Sequence, residues 1–551
     1  MRIPLLLLTL LLLTACGEVI TDNTGTDGTT DSGQNGSGSD TGGGDTGGGG
    51  TGGGGTGGGG TMIERFVSPD GNDTLGDGSE ASPWRTLQFA VDNLQPGERL
   101  RVLPGVYAET LIIGSEDSGS EAQPIEIIGA PGAIIDGSGI TPQDRQALIE
   151  LRSASWVRLQ NLELRNFRTQ SGYEVPDTPI GLLISGGSSD IEVRGLDIHH
   201  IENRSTCALD DGCGVGANGI AVYGDSATPI RNLRFVDNRV HDNTLASSES
   251  FTLNGNIDGF ELIGNEVRDN NNIAFDFIGY EADVCPTCDV EDNRARNGIV
   301  RGNRAIDNSS LGNPAYGNAT EGSAGGFYVD GGHHILFENN ISMGNDIGLE
   351  IASEHAGKAS EYIVVRNSLI HDNLQAGLSL GGYASSDQGE GGGSARNLWI
   401  YNNTLYHNRG WGSEITLAYR VQDAVFANNV LYGTGTPAEN LDSQSNGGYS
   451  GLQWLKNLWW GEDSGGDDLP NADQLRADPG LVDPPTGDFS LTAGSPAVDA
   501  GVSPPAPGVW PGEFWNSRYP GGLPALADTD AAGDPREQGT AVDLGALERQ
   551  P

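Results

Sequence analysis

From residue 62 onward, short stretches of alternating apolar and polar residues recur between turn-forming residues. Val236-Asp237-Asn238-Arg239-Val240-His241-Asp242-Asn243 and Ile263-Gly264-Asn265-Glu266-Val267-Arg268-Asp269-Asn270 share one pattern: an Asn, then an apolar residue, then a second Asn five positions after the first. The pattern returns at Asn161/Asn166, Asn303/Asn308, Asn340/Asn345 and Asn403/Asn408; Ser368/Asn373 is a variant, and Asn429 keeps only the first Asn. Each repeat ends in a short alternating strand, as at 181–185, 219–223, 274–278, 326–330, 348–352 and 377–381. The spacing is 27 from Asn238 to Asn265 and 26 from Asn403 to Asn429. Period-2 strands at that spacing rule out an α-solenoid and predict three strands per coil, stacked as parallel sheets. The Asn columns are expected to occupy left-handed turns and to bond the same amide one coil away.

Within each terminal strand the flanking apolar residues must point inward, so the residue between them points out. That outward column reads Leu183, Ala221, Asp276, Tyr328, Glu350, Ser379, Thr416, with Asp330 two residues beyond Tyr328 on the same face. Two carboxylates and a phenol thus stand on consecutive coils, ~4.8 Å per coil. Insertions at 281–297 and 309–324, and the stretch Ser353-Glu354-His355-Ala356-Gly357-Lys358, flank this cluster. Inserted loops around one face of a solenoid build binding surfaces. Asp276, Asp330 and Glu350 are the expected acid, base or Ca²⁺-binding groups, and Tyr328, His355 and Lys358 the expected helpers in catalysis. His241, His333 and His334 read as turn or solvent residues.

The ends differ from the repeats. Met1-Arg2 followed by an apolar run at 5–13 and Leu13-Thr14-Ala15-Cys16-Gly17 reads as a signal peptide. Residues 17–61 are nearly all Gly, Thr, Asp and Ser, and are expected to be a disordered tether. Residues 62–140 hold a capping helix over 82–94, with Leu87, Ala90, Val91 and Leu94 on one face, and the first coils. Coils continue over 141–460, and 461–551 is expected to close over the last of them.

The net charge is −45, which repels nucleic acid and anionic membranes, so an acidic substrate needs bridging cations. Past Cys16 the cysteines are Cys207, Cys213, Cys285 and Cys288, in two inserted loops. Two local disulfides are expected outside the cytosol, although four cysteines allow three pairings.

Three resemblances extend this reading. Leu13-Thr14-Ala15-Cys16-Gly17 resembles the lipobox of bacterial lipoproteins, which implies lipidation at Cys16, export and attachment to the cell envelope through the lipid alone. The segment from Phe66 through Leu94 resembles the N-terminal part of secreted β-helix proteins, some polysaccharide lyases among them. Most of the chain after Met62 resembles the right-handed parallel β-helices of the pectate-lyase-like fold. That resemblance implies an all-β fold with an N-terminal capping helix, a monomer, and a polysaccharide partner. It implies a lyase acting on acidic polysaccharide, with Ca²⁺ held by Asp276, Asp330 and Glu350 and with Lys358 or His355 as base. A glycoside hydrolase on the same fold, or a non-catalytic surface scaffold or adhesin, are the alternatives.

Overall fold

The computed structural model describes residues 62–550 apart from 174, 212, 214, 318, 383–391, 411–412, 434–440, 444–447 and 462–472. Cys16, the signal-type segment and the 17–61 tether lie outside the described residues.

Three parallel sheets of 13, 11 and 13 strands run through the described residues, and along most of the length the chain visits them in rotation. This is the expected all-β, right-handed parallel β-helix. Its interior is one continuous apolar column from Val67 to Trp459. Phe251, Phe275 and Phe327 are register partners on successive coils, and their rings lie 5.6 and 4.9 Å apart. This stack fixes the rotation of three strands and so fixes which residues face outward. The N-terminal helix is shorter than expected, Leu87–Asp92, with Leu87, Ala90 and Val91 buried. Its start is set by the Glu109 carboxylate, which accepts the Leu87 N–H, and by Asp73, which accepts the N–H groups of Arg85 and Thr86.

The Asn columns form two buried ladders. In one, Asn238, Asn265 and Asn303 each donate both backbone N–H and Nδ2 to the next residue's side-chain oxygen, and Asn340 then donates its N–H to Ser368 Oγ. The other runs Asn243, Asn270, Asn308, Asn345, Asn373, Asn408 and ends on the buried carboxyl of Glu414. The left-handed residue is the one before each rung, as at Asp237, Gly264, Gly302 and Asn339. Asn161 and Asn166 themselves have positive φ, so these two are turn residues and not rungs. A column of glycines packs against the second ladder: a Cβ at Gly348 or Gly377 would come within 2.8 Å of the Asn373 or Asn408 amide nitrogen.

Asn303 shows what a rung contributes. Its Oδ1 accepts two bonds from Asn265, and its Nδ2 donates to Leu262 O and Asn340 Oδ1. Asn303→Leu removes all four and leaves the Asn265 N–H buried without an acceptor. At about 1–3 kcal/mol per orphaned group, the expected loss is about 3–5 kcal/mol. Urea unfolding of the variant measures it, and a loss below about 1 kcal/mol would mean the ladder does little for stability.

The closing segment does two things. Leu491, Ala497 and Leu544 pack on Val430 and Leu458 of the late coils. The stretch around the second helix, Glu513–Arg518, instead runs back to the middle of the solenoid. There Trp510, Phe514 and Trp515 bury against Ile299, Leu336 and Val364, Trp515 donates to Asn297 (2.9 Å), and Arg518 pairs with Glu261 (2.6 Å). This reach is a correction to the simple end cap: the outward apolar column on that sheet is the surface that needs cover. His334, read above as a turn or solvent residue, has a left-handed backbone (φ 54°) and is buried there, stacked on Tyr362. The last rung, Leu475–Arg476, lies beyond the expected end of the coils at 460.

Candidate functional site

The 11-stranded sheet carries the outward column in the expected order. Leu183, Ala221, Thr252, Asp276, Tyr328, Glu350, Ser379 and Thr416 are consecutive register partners. Thr252, absent from the column expected above, belongs to the strand Phe251–Gly255, and Asn254 stands two residues on, on the same face.

These residues face outward but are not solvated. Asp276 is 2% exposed, Asp330 5% and Glu350 6%. The inserted loops cover them. Asp346 ties down both ends of the 309–324 loop, accepting from Ser309 Oγ, Ser310 N and Ala324 N. The 281–297 loop is closed by the Cys285–Cys288 disulfide, and Cys207–Cys213 closes the other Cys loop. Both are the local pairings, as suits a chain that matures in an oxidising compartment.

The loops bring three more carboxyl groups over the column: Glu249, Glu281 and Glu354, each half-buried. Glu354 accepts from the Tyr328 hydroxyl (3.2 Å), and its N–H donates to Asp330 Oδ1 (2.9 Å). Burial, and then the charges of Glu249, Asp330 and Glu354, hold the Asp276 carboxyl well above the usual carboxylate range. Burial pushes Asp330 up to about 7, with Glu350 and Glu249 adding to the rise. It pushes Glu249 to about 7 and, with Asp330 and Asp283 behind it, Glu281 to about 8. Glu354 is raised in the same way, by burial and by Asp330. At neutral pH this cluster therefore holds protons, which ordinary surface acids do not.

Three buried oxygens on the sheet face have no hydrogen-bond donor: Thr252 Oγ1, Asn254 Oδ1 and Asp276 Oδ1. Buried acceptors left open like this are rare in native folds, and together they mark a place where a ligand or water supplies the donors.

The other expected residues lie at the rim. His355 Nε2 is 3.8 Å from Glu281 Oε1, and burial and the nearby Lys358 charge keep the imidazole neutral. Lys358 is drawn away from the column: its Nζ is 2.9 Å from Glu291 Oε1 and 4.8 Å from the centre of the Tyr280 ring. Arg294 meets the same ring at 4.6 Å and anchors it by donating to Gly331 O and Ala359 O. A side chain at Gly331 (φ 83°) would come within 2.8 Å of Tyr280, so only glycine fits between Asp330 and this ring.

Among the described residues no three His, Cys, Asp or Glu side chains are set to hold a metal ion, and Asp276 and Glu350 stand two coils apart, roughly 10 Å along the column. A cavity of ≈ 360 Å³ lies on the neighbouring 13-stranded sheet among Arg294, Arg296, His333, Glu361 and Gly512. There Arg294 pairs with Glu361 and Arg296 with Asp292.

No family model matches the chain. Among solved structures, pectate lyase Pel9A superposes with a TM-score of 0.50 at 16% identity, over 89% of this chain and 97% of that one. A GH136 lacto-N-biosidase from Eubacterium ramulus gives 0.48 at 14% identity, over 76% and 67%. The first likeness shows the fold. In sequence, the uncharacterized protein YwoF of Bacillus subtilis (strain 168) is 35% identical over 372 residues, covering 66% of this chain and 74% of YwoF. At that identity and coverage, the chain belongs to the family of YwoF.

Proposed function

We propose that the protein hydrolyses a glycan by carboxyl acid–base catalysis at the loop-covered outward face of the 11-stranded sheet. The observation that carries this reading is the buried column Asp276–Tyr328–Glu350 with Asp330 at its side, beside three buried oxygens without a donor, Thr252 Oγ1, Asn254 Oδ1 and Asp276 Oδ1. A protonated Asp276 can give its proton to a glycosidic oxygen as the bond breaks, and an ionised neighbour can activate water or attack the sugar. Thr252 and Asn254 offer acceptors to sugar hydroxyls. Polysaccharide as the substrate class draws on the shared fold with a pectate lyase, an analogy of fold.

Two features favour hydrolysis over elimination. Carboxyl groups that hold protons at neutral pH supply the acid that glycosidic cleavage needs. Of the two expected lyase bases, Lys358 is engaged by Glu291 and Tyr280, which leaves His355 alone for that role. A purely structural scaffold, for its part, gives no reason to gather so many carboxyl groups away from water. The test is a polysaccharide panel, read both for reducing ends and for the absorbance of unsaturated uronates. New reducing ends without that absorbance are expected. Unsaturated product would make the protein a lyase, and binding without either signal would make it an adhesin or scaffold.

A further inference from the structure

Building on the glycan reading, we propose that this site selects an amino sugar: a glycan whose free ammonium groups sit among the carboxyl groups of Glu249, Asp276, Asp330 and Glu354, with Thr252 and Asn254 accepting from its donors. Three buried side-chain oxygens on the outward face of the sheet lack a partner, and each can accept from a ligand donor: Thr252 Oγ1 and Asn254 Oδ1, on residues 1% and 7% exposed, and Asp276 Oδ1 once its carboxyl ionises. The nearby cations are already engaged. Lys358 is bound by Glu291, Arg294 by backbone carbonyls and Glu361, and Arg145 lies over the Tyr223 ring at 5.2 Å.

Three ligand chemistries can be compared against that inventory. A polyuronate would bring more negative charge and acceptors of its own, against a protein of net charge −45. A neutral sugar would bring donors but nothing to offset the crowded carboxyls. An ammonium has three donors, no acceptor, and the charge that lets buried carboxyls ionise. Since Asp330 and Glu249 hold protons to about pH 7 and Glu281 to about 8, an ammonium binding among them should displace protons into solution.

Calorimetry of the full chain at neutral pH with three hexamers tests this: β-1,4-linked glucosamine, its fully N-acetylated form, and galacturonate. The glucosamine hexamer is expected to bind at least about tenfold tighter than the acetylated one, with heats that change with buffer ionisation as protons leave, and galacturonate is expected not to bind. Thr252→Val and Asn254→Leu alter no charge, so each should weaken glucosamine binding about tenfold or more if this face is the site. Unchanged affinity in both folded variants would mean a polycation adsorbed on an acidic surface, and would overturn the proposal. Tighter binding of the acetylated or galacturonate hexamer, lost in those variants, would overturn it too, while leaving the glycan reading in place. Binding of none of the three would also overturn it, and the polysaccharide panel would then judge the glycan reading separately.

Discussion

Replacing Asp276 by Asn is expected to lower glycan turnover by about 10²–10⁴-fold, the usual contribution of a positioned acid or base, while leaving the fold at least as stable. Asn keeps the shape of the side chain and removes its transferable proton. It also removes a charge that Glu249, Asp330 and Glu354 oppose, so relief of repulsion offsets any lost contact. Glu350→Gln is expected to behave alike, because its face is the same and its inward neighbours Leu349 and Ile351 hold the strand without it. Lys358→Met provides the contrast. Its Nζ serves Glu291 and the Tyr280 ring, so the expected loss is less than about tenfold and falls on substrate affinity more than on turnover. The measurement is kcat and KM across pH for each folded variant. If Asp276 is the acid, Asp276→Asn also removes the alkaline limb of the wild-type profile. Full activity in both Asp276→Asn and Glu350→Gln would end the catalytic assignment.

The column itself was legible because period-2 alternation leaves no freedom. Once Phe275 and Phe277 point in, Asp276 points out, and stacking the repeats fixes its neighbours. The coil with Thr252 escaped because Phe251–Gly255 follows a Ser-rich turn and has Ser250 where the other strands lead with Gly or Ala. The apolar–polar–apolar triplet of Phe251, Thr252 and Leu253 was the signal available. Burial of the outward face was not legible at all. It depends on where loops 281–297 and 309–324 fold, which is settled by tertiary contacts such as Asp346 with Ser309 and Ala324, and not by any periodicity. Glu249, Glu281 and Glu354 come from such loops, so their convergence on Asp276 and Asp330 was hidden for the same reason. The return of Trp515 and Arg518 to Asn297 and Glu261 joins residues more than 200 positions apart, across a segment with no repeat to set its path.

The same buried acids should make the protein lose stability as pH rises from about 6.5 to 9, a loss on the order of 3–5 kcal/mol from about 1.4 kcal/mol per group per pH unit. The direction follows from proton counts. In the unfolded chain Asp and Glu ionise near pH 4. In the folded protein Asp330 and Glu249 keep protons to about pH 7 and Glu281 to about 8, with Asp276 and Glu354 also held high. The folded state therefore binds more protons across this window, and stability falls as they are removed. His241, raised by Asp197 and Asp242, pulls the same way, since its ion pairs are lost as it deprotonates. Buried His333 and His334 are shifted down, His334 to about 4; they cost stability only below about pH 6.5, where the unfolded chain protonates them. Carboxylates held low by arginines, such as Asp136 by Arg165 and Glu338 by Arg366, are fully ionised throughout the window. Their contribution is lost only in stronger acid. Urea midpoints at several pH values measure the slope, and midpoints are the right quantity because a long solenoid need not unfold in two states. Asp330→Asn combined with Glu281→Gln should flatten the slope by removing two of the groups that generate it. A midpoint that rises with pH, or a slope the double variant leaves unchanged, would mean that these carboxyls ionise in the folded protein as they do in water.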